Sequence, residues 1–150
     1  MRKFLGIIVL GLLWCNNVNA AEINLKNCKS NFGNHPFWEV HLHLLNKIGA
    51  ELVRHASGME ERNVIYITER KVDVVYGYAI SNLELIWEYV FKLNDDSFTR
   101  VWLSGTATPE QRERIPKTPE FENSVKWSIT EDTSGGSFEP EEQKCERGKP

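Results

Sequence analysis

The clearest pattern along the chain is an alternation of apolar and polar residues that begins at position 83. One side of this stretch is wholly apolar, and its members are Leu83, Leu85, Trp87, Tyr89, Phe91 and Leu93. A period of two residues, with aromatic and β-branched side chains, predicts a β-strand that has one apolar face. The polar run at 94–97 favours a turn, and the alternation resumes through Phe98, Arg100 and Trp102. This stretch therefore predicts a β-hairpin, with Glu84 and Glu88 on its opposite, solvated face.

Two further stretches have strand character. Residues 64–67 and 72–78 are rich in β-branched and aromatic side chains and predict a second hairpin. Residues 37–55 fit two templates, because strict alternation from Trp38 to Leu44 predicts a hairpin, whereas a proline in the first turn and apolar residues at helical spacing predict a helix. We favour the hairpin, since the pattern downstream is that of strands, and the helix stays the open alternative.

The pattern changes after position 104. The residues at 108–111 have the spacing of a capping box and include a proline, Pro109, at the first helical position, which predicts a short surface helix over 109–114. Val125, Trp127 and Ile129 alternate with polar residues and predict a last strand.

Short strands in meander order, without long helices between them, predict the fold class. We expect an all-β protein, an antiparallel meander that forms a small barrel or a sandwich, with one short surface helix. The length of 150 residues fits one such core. We expect a signal peptide at 1–20, a β domain at 21–130, and a mobile tail at 131–150 that Cys145 tethers.

The start of the chain has the organisation of a secretory signal peptide. Two basic residues precede an apolar run at 4–14, and small residues at 18–20 suit a signal peptidase. The run is too short for a permanent anchor, so we expect a periplasmic or secreted protein with no stable membrane insertion after leader cleavage. Lipid anchoring at Cys15 is not expected, because the bulky Trp14 precedes it.

Export affects how the cysteines and the net charge are interpreted. Loss of the leader leaves Cys28 and Cys145, and disulfides persist outside the cytoplasm, so these two residues predict a bridge. The alternative is two thiols that are free or paired between molecules. The formal net charge of -3, which becomes more negative without the basic leader, argues against a nucleic-acid partner.

One cluster suggests metal chemistry. In the hairpin register that places His43 opposite Glu51, these two residues share a face with His41 and His55. Imidazoles at alternate strand positions point the same way, and with a carboxylate they form a candidate zinc or copper site. The competing interpretation is a solvated strand face with one or two ion pairs.

The tryptophans suggest a second kind of site. Those outside the leader are Trp38, Trp87, Trp102 and Trp127, and each lies in a predicted strand. They form either part of the core or a platform on which a ligand stacks. We therefore expect a binding or interaction module whose partner is a small apolar ligand or an envelope protein.

Catalytic motifs do not accompany these patterns. The chain lacks a G-x-S-x-G nucleophile elbow, and Glu84 and Glu88 would lie roughly 13 Å apart along a strand, farther than paired glycosidase acids. No catalytic residue and no cofactor is predicted. The alternatives to a binding module are a metal-binding protein that uses the histidine hairpin and a small hydrolase of unrecognised type.

A family resemblance rests on two short stretches. The leader sequence at 11–15 and the run from Tyr89 to Asn94 resemble short uncharacterised exported proteins of marine alphaproteobacteria. The resemblance implies export and a β-rich fold, and it assigns neither a function nor site residues.

Overall fold

The protein is an eight-stranded antiparallel barrel in the part of the chain that its computed structural model describes, residues 22–30, 37–81, 85–105, 107–126, 129 and 140–149. The strands are β1 (Glu22–Ser30), β2 (Phe37–His43), β3 (Ile48–Arg54), β4 (Glu60–Arg70), β5 (Val74–Ile80), β6 (Ile86–Lys92), β7 (Ser97–Leu103) and β8 (Glu141–Arg147). Each strand pairs with its neighbours in sequence, and β8 pairs with β1 to close the barrel. The predicted all-β meander is confirmed, in its barrel form. The predicted signal peptide lies outside the described residues.

A disulfide joins the first strand to the last. Cys28 of β1 is bonded to Cys145 of β8, which is the pairing that the sequence predicts. Because β1 and β8 are also paired strands, the bridge fixes the seam where the barrel closes.

The described residues contain no helix that is long and apolar enough to cross a membrane.

The main hairpin is formed by β6 and β7, with a turn at 93–96. Its predicted apolar side faces the barrel interior, where the rings of Tyr89, Phe91 and Phe98 pack at centroid distances of 5.3 to 6.1 Å. The interior is tight around them, since a Cβ on Gly77 would lie 2.5 Å from the Cγ2 atom of Ile65. Leu83 and Glu84, the first residues of the predicted strand, lie outside the described residues.

The segment 37–55 is a hairpin, as we favoured, but its predicted register is wrong. His43 lies opposite Ile48, whereas the prediction placed it opposite Glu51. The turn occupies residues 44–47, with Lys47 at a φ of 54°, and its centre lies earlier in the chain than the predicted pairing requires. Because side chains alternate between faces, this shift by an odd number of residues moves Glu51 into the barrel while His41 and His43 stay outside.

The predicted helix is confirmed, and a second one follows it. Helix α1 (Pro109–Arg114) begins with the expected capping box, in which the Gln111 backbone N–H donates to Thr108 Oγ1 at 3.2 Å. Helix α2 (Pro119–Val125) was not predicted. Val125 ends α2, so the strand predicted there is wrong, and Trp127 of that strand lies outside the described residues.

The last strand comes instead from the predicted tail. Residues 141–147 form β8 between β7 and β1, so the expectation of a mobile tail is wrong for this part of it. The strand is inconspicuous in sequence, because charged side chains dominate it. Residues 131–139 and 150 of the predicted tail lie outside the described residues.

A second apolar cluster lies on the outside of the barrel. Tyr78, Ile86 and Leu103 project outward and pack with Ile115 and Phe121 from the helical segment. The helices therefore cover an outer sheet face that the sequence pattern assigns to solvent. Glu88, which we expected to be solvated, has only 3% of its surface exposed under this cover.

Candidate ligand-binding site

The two ends of the barrel interior differ in chemistry. The end nearer the 93–96 turn is filled by apolar rings, whereas the other end carries Trp38, Trp87, Trp102, Arg100 and Glu141, which we call the aromatic end. Trp87 and Trp102 are partly exposed and pair across β6 and β7 with ring centroids 6.4 Å apart. The aromatic end therefore contacts solvent and leads into the core.

Arg100 is the centre of this end. Its guanidinium lies 4.4 Å from the ring centroid of Trp87 and 5.4 Å from that of Trp38. The same group forms ion pairs with Glu141 at 3.1 Å and with Glu51 at 3.5 Å. Strand pairing determines these contacts, because Arg100 lies opposite Tyr89 on β6 and Glu141 on β8.

The exposed fraction of the side chain decreases from Glu141 to Arg100 and from Arg100 to Glu51. The side-chain surface is 22% exposed for Glu141, 15% for Arg100 and 0% for Glu51. The deepest carboxylate is held by two neutral donors, since Tyr89 Oη donates to Glu51 Oε2 at 2.7 Å and Asn63 Nδ2 donates to the same atom at 2.8 Å. The charged side chains of the site are therefore progressively more buried from Glu141 through Arg100 to Glu51.

Burial and the neighbouring charges shift the pKa values of Tyr89 and Arg100. Burial raises the pKa of Tyr89 well above its ordinary value, and the neighbouring charge of Glu51 raises it further. For Arg100 burial alone would lower the pKa, but Glu51, Tyr89 and Glu141 together leave it raised. At neutral pH Tyr89 therefore keeps its proton and donates a hydrogen bond, and Arg100 is a cation.

Gln143 points into the same interior without a partner. It lies on β8 between Ser30 and Phe98, one pair deeper than Glu141, and is 1% exposed. Neither its Oε1 nor its Nε2 has a hydrogen-bond partner among the described residues, and the same holds for the indole N–H of Trp38. Buried polar groups are nearly always bonded, so this set is suited to a molecule or water that carries both donors and acceptors.

Three of the four tryptophans proposed for ligand stacking meet at the aromatic end. Trp38, Trp87 and Trp102 all face inward there, and Trp127 lies outside the described residues. Their stacking role stays a prediction.

The proposed metal ligands, in contrast, are separated. His41 Nδ1 is 2.6 Å from Asn24 Oδ1, His43 pairs with Glu22 at 3.3 Å, and His55 pairs with Glu61 at 3.1 Å. The fourth, Glu51, lies inside the barrel. Within the described part of the chain no group of three or more histidine, cysteine and acidic side chains is arranged to hold a metal ion.

Sequence reasoning missed Arg100, Glu141 and Gln143 as site residues. A signal existed for Arg100, because it occupies an inward position between Phe98 and Trp102 in the alternation that we used to predict the hairpin. For the other two no signal existed, since the charged sequence around them predicts a tail.

A second buried cluster holds α1 on the barrel. Tyr78 Oη donates to Glu88 Oε2, Gln111 Nε2 donates to Glu88 Oε1 at 2.9 Å, and Arg114 pairs with Glu88 at 3.3 Å. Burial, followed by the hydrogen bond and charge of Glu88, raises the pKa of Tyr78. Every polar group named here has a partner, so we assign the cluster a role in stability.

A groove of about 670 Å³ lies between α1 and β4. Its rim alternates in charge, with Lys71 and Glu69 paired at 3.5 Å and Glu110 and Glu113 facing them from the helix. This mixed rim has no charge preference, and it lacks the buried unpartnered groups of the aromatic end.

Comparison with known proteins adds no assignment. No family model matches the chain, and it has no significant match among curated proteins or among solved structures.

Proposed function

We propose that this protein binds a small organic molecule at the aromatic end of its barrel. The observation that carries the proposal is the buried amide of Gln143, which has no hydrogen-bond partner in the part of the chain that the structure describes and lies one strand pair deeper than the guanidinium that contacts the rings of Trp87 and Trp38. A ligand ring can stack on the partly exposed faces of Trp87 and Trp102, and its polar group can bond to the amide. Aromatic contacts of this kind contribute about 0.5 to 1.5 kcal/mol each beyond burial, and a hydrogen bond contributes a similar amount.

We also propose that the protein works in the periplasm or is secreted. The Cys28–Cys145 bridge supports this location, since disulfides persist in oxidising compartments. The signal-peptide pattern of the first residues points the same way.

Fluorescence titration with N-phenyl-1-naphthylamine tests the binding function. This neutral probe brightens in apolar surroundings, and at the aromatic end it quenches tryptophan emission by energy transfer. We expect saturable binding that weakens about two- to tenfold in Trp102→Leu, since one stacking contact is worth about 0.5 to 1.5 kcal/mol.

Tyr66→Leu is the matched control, because it also exchanges an aromatic ring for leucine, on the outer face where Tyr66 contacts Phe121. Binding to this variant should equal that of the wild type. Equal weakening in both variants, or no saturable binding to the wild type, would contradict the proposed function.

A further inference from the structure

We infer that the ligand of the aromatic end is an organic cation, an ammonium or guanidinium group attached to a planar ring. This inference rests on the proposed binding function and adds the charge of the ligand to it. Three observations support it: the net charge of the group formed by Glu51, Arg100 and Glu141, the two ion pairs that already occupy Arg100, and the exposed edge of the Glu141 carboxylate.

The charges at this end do not cancel. Two carboxylates, Glu51 and Glu141, pair with one cation, Arg100, among the described residues of this end, and Tyr89 beside them stays neutral. The group therefore has one negative charge in excess. A ligand with one positive charge would neutralise it, which matters more inside a barrel than in water because the screening there is weaker.

An anionic ligand is disfavoured although an arginine is present. Both carboxylates already occupy the guanidinium, so an anion would either displace one of them or add a second excess negative charge. Displacement is unfavourable for Glu51, whose side chain is completely buried and would remain as an unpaired charge. Arg100 is consequently a structural cation of the site.

The position left for a cation is the outer edge of Glu141. This carboxylate is 22% exposed, its Oε1 accepts from Ser30 Oγ at 3.1 Å, and its Oε2 bonds Arg100 at 3.1 Å. Each carboxylate oxygen has capacity for a second bond. Partly exposed indole rings lie at the same end, and cations are attracted to the faces of such rings. The packing of the guanidinium of Arg100 against Trp87 and Trp38 shows that this arrangement accommodates a planar cation.

Three probes of one shape separate charge from stacking. We would titrate the oxidised protein calorimetrically with 1-naphthylmethylammonium, 1-naphthalenemethanol and 1-naphthoate at neutral pH. We expect the ammonium to bind about tenfold more tightly than the alcohol, and the carboxylate more weakly than the alcohol.

Glu141→Gln should reduce the preference for the ammonium over the alcohol, measured as the ratio of their two dissociation constants in the same variant, to less than about twofold. Glu142→Gln is the matched control on the same strand, because the side chain of Glu142 is 38% exposed and pairs with Lys92 across 3.9 Å. This control should keep the full preference. Urea melts of both variants establish that each is folded.

The outcomes distinguish failure of the cation inference from failure of the proposed binding function. Equal affinity for ammonium and alcohol, tighter binding of naphthoate, or an equal loss of preference in both variants would overturn the cation inference and leave the binding function standing. No binding of any probe would overturn both. The wild-type comparison of the three probes decides the matter even if Glu141→Gln does not fold.

Discussion

Replacing Arg100 with methionine should destabilise the protein strongly, because it leaves a buried carboxylate without its cation. Methionine keeps much of the length and apolar contact of arginine but removes the charge. Breaking a buried ion pair by removing one partner typically costs about 3 to 5 kcal/mol. We expect the lower end, about 3 kcal/mol, because Glu51 keeps its hydrogen bonds from Tyr89 and Asn63. That is a large share of the roughly 5 to 15 kcal/mol by which small domains are stable.

Urea unfolding with the disulfide intact, followed by tryptophan fluorescence and circular dichroism, measures this loss. The double variant Arg100→Met, Glu51→Gln should recover about half of it, since a neutral amide oxygen still accepts from Tyr89 and Asn63. Arg54→Met is the control, because Arg54 is 51% exposed and its ion pairs lie on the surface, where loss costs less than about 0.5 kcal/mol. A loss at Arg100 no larger than at Arg54, or a double variant no more stable than Arg100→Met, would refute the buried-pair account.

Three further predictions concern other parts of the structure. Glu88→Ala should cost about 1 to 3 kcal/mol in urea melts, because it strips a buried partner from Tyr78 and Gln111, whereas an effect below about 0.5 kcal/mol would show that α1 does not cover this site. Reduction of the Cys28–Cys145 bridge should destabilise by about 4 to 5 kcal/mol for so long a loop, and intact-mass measurement of protein recovered from the periplasm should show no alkylatable thiol before reduction. Because burial raises the folded-state pKa of Tyr78 and Tyr89, the folded protein holds their protons when the unfolded chain loses them. Stability should therefore fall above about pH 10, by up to about 1.4 kcal/mol per pH unit for each tyrosine, as followed by urea melts, and a flat profile would contradict the burial of both.

The strands that the sequence predicted correctly are those with an apolar face turned inward. Residues 86–103 alternate strongly because the interior accepts only one face of β6 and β7, and the capping box of α1 is a local signal that needs no tertiary contact. For these elements local preference and the final packing agree.

The errors arise where tertiary packing overrides the local pattern. Glu88 looks solvated in sequence, yet a helical segment from beyond β7 covers it. Strand β8 has few apolar residues, and it is held by pairing on both sides and by the disulfide. The hydrophobic periodicity of a segment does not indicate contacts with segments that are distant in the sequence.

Predicting the candidate site required the correct strand register as well as the residue types. The turn lies earlier in the chain than predicted, and this places Glu51 inside the barrel, where it pairs with Arg100, and not on the face of the histidines. Turn length cannot be judged from hydrophobic alternation alone, since a shifted pairing leaves the alternation of each strand unchanged. The tryptophans could be proposed as stacking residues from their positions in the predicted strands. That three of them lie at the same end of the barrel could be seen only in the closed structure.

Nuclear magnetic resonance of the side-chain N–H groups during titration with 1-naphthylmethylammonium tests the central claim most directly. The binding account predicts that the indole signals of Trp38, Trp87 and Trp102 and the amide signals of Gln143 shift together and saturate with one dissociation constant. The guanidinium N–H signal of Arg114, which lines the groove between α1 and β4, shows in the same titration whether the probe binds there. Shifts confined to Arg114, or no saturable shift at the three indoles and Gln143, would contradict the assignment of a ligand site to the aromatic end of the barrel.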